Sequence, residues 1–155
     1  MVYSYGVKGG EAMNNLYHTD FYSWTQQQAE LLRTGKLDQL DITNLTEEIL
    51  SMGRSEYRSL VSRLSKLLSH LLKWTYQPER QCRSWRLTIT EQRHRSADRL
   101  QDSPGLKPML DDILTKAYGY AVLEAAKETD LPRKTFPEQI PWTFNQIMTE
   151  DWLPD

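Results

Sequence analysis

Cysteine is almost missing from this sequence: Cys82 stands alone, so no internal disulfide can form and a zinc site built on thiolates is excluded. No apolar run approaches the ~18 residues of a membrane-spanning helix. The opening "MVYSYGVKGGEAMNN" has a lysine and two adjacent glycines where a secretory signal would carry its apolar stretch, so a cytoplasmic protein with no membrane contact is expected. Also absent are a glycine-rich phosphate loop, paired histidines at metal spacing on one helix, a serine in a nucleophile elbow, and a histidine beside the cysteine. No enzyme motif of strong specificity remains, and neither a cofactor nor a metal is expected.

What is present is ordinary in bulk and uneven in detail. The 155 residues are 39% hydrophobic and 26% charged, a globular balance, and suffice for one domain to bury a core without staples. The formal net charge of -2 hides three blocks. Residues 1–53 hold 3 basic and 7 acidic side chains, residues 54–99 hold 11 and 4, and residues 100–155 hold 5 and 10. A basic middle between acidic ends can meet a polyanion, or be neutralised by those ends on folding, which needs no partner.

Periodicity predicts helices throughout. Residues 1–15 are weakly periodic and are expected to be a disordered extension, with residues 16–155 forming a single all-helical domain. Thr19 or Asp20 can cap a helix carrying Phe21, Trp24, Ala29 and Leu32 on one side, and Gly35 stands at its left-handed end. Asp41 can cap the next, with Leu45, Ile49 and Met52 in a stripe. Gly53 either ends or bends it, because Leu60, Val61, Leu64, Leu67, Leu68, Leu71 and Leu72 resume the period over a wide arc until Pro78. Further helices are expected near residues 80–101 and 105–129, the first despite β-branched Thr88, Ile89 and Thr90, the second with Ser103 as cap. Four of the seven prolines fall after residue 131, which predicts an extended arm anchored by Phe136, Trp142, Phe144 and Trp152, with a short helix from about Thr143. The fold class is therefore all-α, a helical bundle with a long central helix or kinked helix pair and a proline-rich C-terminal arm.

Five segments carry a family resemblance: "DFYSWTQQQAELLRTGKLDQLD", "EEILSMGRSEYRSL", "HLLKWTYQPERQCRSWRLTITEQR", "DSPGLKPML" and "FPEQIPW". In that order, over roughly residues 16–154, they resemble the bacterial domain of unknown function family numbered twenty-nine, common in cyanobacteria. The resemblance implies an all-helical bundle. It implies no activity, catalytic residue or ligand.

Candidate residues gather around Pro78. His70 is the most plausible general acid or base, with Trp74 one turn on and Glu47, Glu48 or Glu56 as partner if the preceding segment packs antiparallel. A boundary histidine bonded at a helix interface is the blander and favoured alternative. Arg83, Arg86, Thr90 and Arg93 share a helical ridge beside Trp85 and Ile89, with Arg80 just before it, and guanidiniums next to indoles can fork onto phosphates and stack on bases. Against that, the same arginines can pair with internal carboxylates and stack on Trp74 and Trp85, and the near balance of charge favours this. Cys82, among arginines, lacks a base or resolving thiol. The expected function is a non-enzymatic interaction or regulatory module with a protein partner or self-association, acting near Pro78. The alternatives are RNA or single-stranded DNA binding through the ridge of residues 80–95, and a hydrolase or nuclease using His70.

Overall fold

A computed structural model describes residues 16–155, and the expected disorder of residues 1–15 lies outside the described residues. The described residues form helices and turns with no strand among them, an all-α helical bundle. By their contacts they fall into two compact units, one ending at Gly53 and the other Arg54–Asp155.

The smaller unit is a helical hairpin. Residues 16–19 make a helical turn, and Asp20 then caps α1 (Phe21–Arg33) by accepting the Ser23 N–H at 3.1 Å. α1 ends at Gly35, whose φ of 71° is open to glycine, while the Lys36 N–H returns to the Leu31 carbonyl at 2.9 Å and Gly35 N–H to Leu32 at 3.2 Å. A 3-10 turn, Leu37–Gln39, leads to Asp41, which caps α2 (Ile42–Tyr76) through the Asn44 N–H at 3.3 Å. The same carboxylate accepts the Trp24 indole N–H at 3.1 Å, and Gln28 Oε1 accepts the Asp41 N–H at 2.8 Å. Trp24 and Gln28 are both buried. One capping residue thus starts a helix and fastens α1 to it.

α2 is a single helix of 35 residues, unbroken at Gly53, and stops where Pro78 can no longer donate. Its second half is the spine of the larger unit. Leu60, Leu64, Leu67, Leu68, Leu71 and Leu72 are fully buried, each contributing roughly 1.5–3 kcal/mol by leaving water. A 3-10 turn (Pro78–Arg80) leads to α3 (Arg83–Asp102), which starts three residues later than the sequence predicts because Pro78–Arg80 winds tighter. Thr88, Ile89 and Thr90 are helical, as expected. Ser103 opens the next 3-10 segment, Pro104–Met109, without a side-chain cap bond, because its hydroxyl turns to Glu56 at 3.4 Å.

α4 (Leu110–Thr129) places Ala117, Ala121 and Ala125 in the core, and Asp130 in the left-handed region closes it. The arm follows. Tyr118 donates its hydroxyl to the Pro137 carbonyl at 2.7 Å, and burial pushes that phenol up to about 12. α5 (Phe144–Met148) begins at a capping box of Thr143 and Gln146. Phe136 and Ile147 are the buried anchors, and Trp142 and Trp152 meet edge to face at 6.0 Å while staying half-buried. Ile147, unnoticed among louder aromatics, is the deeper of the arm's plugs.

Candidate functional site

His70 is held within the protein at both ring nitrogens. Nδ1 lies 2.9 Å from the Lys66 carbonyl, which can only accept, so the proton sits on Nδ1. Nε2 faces the Lys73 ammonium at 3.4 Å, which can only donate, so Nε2 accepts. Protonating Nε2 would aim a second proton at a cation, and burial followed by Lys73 lowers the imidazole pKa below its usual value. The acids near it are not Glu47, Glu48 or Glu56, as expected from an antiparallel fold-back. Glu56 takes Arg99 at 2.8 Å and Glu48 takes the Tyr17 hydroxyl at 2.5 Å. The carboxylates at His70 come instead from α4.

Lys73, 4% exposed, pairs with Glu128 of α4 and lies 5.0 Å over the Trp85 ring. Burial, then Glu128, holds the Glu124 carboxyl above its ordinary pKa. Arg86 lies 5.9 Å over Trp74. Both indoles are half-buried, each with a cation on its face. Chemically the cluster is a charge-compensated joint between α2, α3 and α4, with its imidazole lone pair already directed at an ammonium.

The ridge of four on α3 does not form one open surface. Arg83 and Arg86 are exposed, as is Arg80 just before the helix, but Thr90 is half-buried and Arg93 is 3% exposed and turned inward. Its Nε donates to the Ile147 carbonyl at 2.8 Å and a terminal nitrogen donates to the Trp152 carbonyl at 2.6 Å. Burial pulls its pKa down, and Asp151 and Glu150 oppose that. A guanidinium beside helix α5 thus binds backbone, where the sequence pattern had suggested phosphate or carboxylate. Cys82, the residue before α3, is exposed and its side chain makes no capping bond. Among the described residues no group of three histidine, cysteine or acidic side chains is placed to hold a metal ion.

A largely exposed apolar surface lies in the smaller unit, whereas Pro78 belongs to the larger one. Between α1 and the first turns of α2 runs a groove of about 310 Å³ with an almost wholly apolar lining. Phe21, Ala29 and Leu32 form one wall, Leu45, Ile49 and Met52 the other, with Trp24 at its floor. Ile49 is 65% exposed and Met52 69%. Both stripes are visible in the sequence at spacings of three, four and seven; Trp24 is buried, while Phe21, Leu32, Ile49 and Met52 are left largely exposed among the described residues.

No helix among the described residues is long and apolar enough to cross a membrane. No curated protein and no solved structure matches the chain. The family model described as a domain of unknown function, DUF29, matches residues 16–153 and so spans both the hairpin and the larger unit; the chain belongs to that family.

Proposed function

We propose that the chain is a non-enzymatic cytoplasmic interaction module whose docking surface is the apolar groove of the α1–α2 hairpin, and that its partner is an amphipathic helix with lysine or arginine flanks. The observation that carries this is the pairing of two helical apolar stripes across a groove with Ile49 and Met52 mostly exposed. Large side chains at i, i+3, i+4 and i+7 on two neighbouring helices present the ridges against which a third helix packs. Charge selects the occupant. Residues 16–53 carry six carboxylates, including Glu30, Asp38, Glu47 and Glu48, against Arg33 and Lys36. A second copy laid on the groove symmetrically would set acid against acid, whereas a basic flank is drawn to it.

The test is a titration of the full chain with a fluorescent synthetic amphipathic helix bearing lysine flanks, beside the same helix with glutamate flanks. The basic peptide is expected to bind, and Ile49→Glu or Met52→Glu to weaken it at least about tenfold with unchanged far-UV circular dichroism. Equal binding of both peptides, or none, overturns the reading. So does a dimer by light scattering that Ile49→Glu dissociates, which would assign the groove to a second copy.

A further inference from the structure

Among the described residues, Glu48 is the one charged side chain lining the apolar groove of the α1–α2 hairpin. It stands on α2 three positions after Leu45 and four before Met52, with Ile49 beside it, so it lies inside the apolar stripe and not on the polar side of the helix. Glu48 is half-buried, and Tyr17 donates its hydroxyl to Oε1 at 2.5 Å, while Oε2 has no partner among the described residues. The Tyr17 ring is itself fixed, edge to face with Trp24 at 4.8 Å and Phe21 at 5.7 Å, and both of those rings line the groove. The bond to Glu48, ahead of burial, raises the Tyr17 phenol above its ordinary pKa, so the hydroxyl keeps its proton. A phenol is neutral, so it orients the carboxylate and leaves the charge standing. No lysine, arginine or histidine forms an ion pair with Glu48 among the described residues. Any occupant that seals the groove therefore strips water from an uncompensated anion.

We propose, resting on the reading of this groove as a helix-docking site, that Glu48 sets the register of the partner helix by pairing with a single lysine or arginine carried inside that helix's apolar face. An all-apolar face would bury Glu48 without a counter-charge, whereas a cation at that place takes Oε2 and offsets the lost water. The cation's apolar neighbours, three or four positions to either side, then pack on Leu45 and Met52, one turn before and one turn after Glu48. The partner's contact face thus reads apolar, basic, apolar at helical spacing, in addition to its basic flanks. A second copy of the hairpin laid face to face does not supply that pattern, because the lining of the groove holds no lysine or arginine.

Three fluorescent synthetic amphipathic helices with identical lysine flanks are titrated into the full chain by anisotropy. One carries lysine at the centre of its apolar face, one carries norleucine there, and in the third the lysine is moved to the polar face with norleucine left in its place. The central-lysine helix is expected to bind the parent at least about fivefold more tightly than either of the others, with the difference shrinking as salt is added. In Glu48→Gln, checked for an unchanged far-UV circular dichroism spectrum, that preference is expected to vanish or reverse, because the buried ammonium then meets no anion. The comparison on the parent chain needs no variant to fold. A norleucine helix that binds the parent as tightly as the central-lysine helix, or a lysine preference that survives in Glu48→Gln, overturns the proposal. If Ile49→Glu still weakens that norleucine helix, the groove remains a helix-docking site and only the role of Glu48 falls; binding by none of the three helices overturns both.

Discussion

Replacing Arg93 by methionine isolates what a buried guanidinium does for the arm. Methionine keeps the apolar stem's volume and removes the charge, so the core is not hollowed. Two charge-assisted hydrogen bonds are lost, to the carbonyls of Ile147 and Trp152 at 2.8 and 2.6 Å, gross contributions of about 1.5–3 kcal/mol each. Relief from desolvating the cation returns part of that, while two carbonyls are left short of a donor in a partly buried setting. The net expected loss is about 3 kcal/mol, a large share of a typical domain's 5–15 kcal/mol, read from urea unfolding followed by circular dichroism. Arg93→Lys keeps a cation that can serve one carbonyl but not both, so about half the loss is expected. Limited proteolysis should cut both variants after Leu131 sooner than the parent, because the arm opens first. An Arg93→Met protein within 0.5 kcal/mol of the parent, or a lysine variant as unstable as the methionine one, would refute the reasoning.

Three further outcomes are expected. Because His70 has a pKa in the fold below its ordinary 6.5, the unfolded chain takes up a proton first as pH drops, and stability contributed by the neutral ring is present above about 6.5 and lost below it, by at most about 1.4 kcal/mol per pH unit. Lys66, Lys73 and Glu128 face that ring, and Glu124, raised, works in the opposite sense at lower pH, so the reading is the difference between parent and His70→Gln in urea midpoints from pH 5 to 8; parallel curves would sink it. Gly35→Ala should cost about 1 kcal/mol in thermal unfolding, since φ of 71° strains any side chain although nothing lies within 4 Å of the added carbon; an unchanged melting temperature would contradict this. Asp41→Ala should cost about 1–2 kcal/mol and shift the Trp24 emission, because the cap and the indole's acceptor vanish together; emission identical to the parent's would show that the bond at 3.1 Å contributes little.

Much of the frame was legible in the chain itself, for reasons that are local. Asp20 and Asp41 as caps, a helix start near Thr143, Gly35 as a left-handed end and Pro78 as a stop act within a turn of backbone, so their meaning is complete in a few residues. The leucine arc over residues 60–72 is buried because an arc that wide has no dry alternative. The stripe of Leu45, Ile49 and Met52 was equally visible, yet a stripe states which face is apolar and not whether anything covers it. Arg93 was misplaced onto an open ridge because its partners are backbone carbonyls, which every residue possesses and no sequence pattern marks. Lys73 and Glu128, 55 positions apart, meet only once α2 and α4 pack.

The Arg93 clamp also has a kinetic meaning. Its two hydrogen bonds join positions 54 and 59 residues apart, so each closes a long loop whose entropy is met before the bond rewards it. The helices α2, α3 and α4 follow one another in sequence and can assemble while the arm is still searching. The clamp then belongs to the descent after the folding barrier, and its removal speeds unfolding while leaving the folding rate almost untouched. In the native protein that makes a single arginine a brake on unfolding, governing how long the arm stays shut more than how fast the bundle forms.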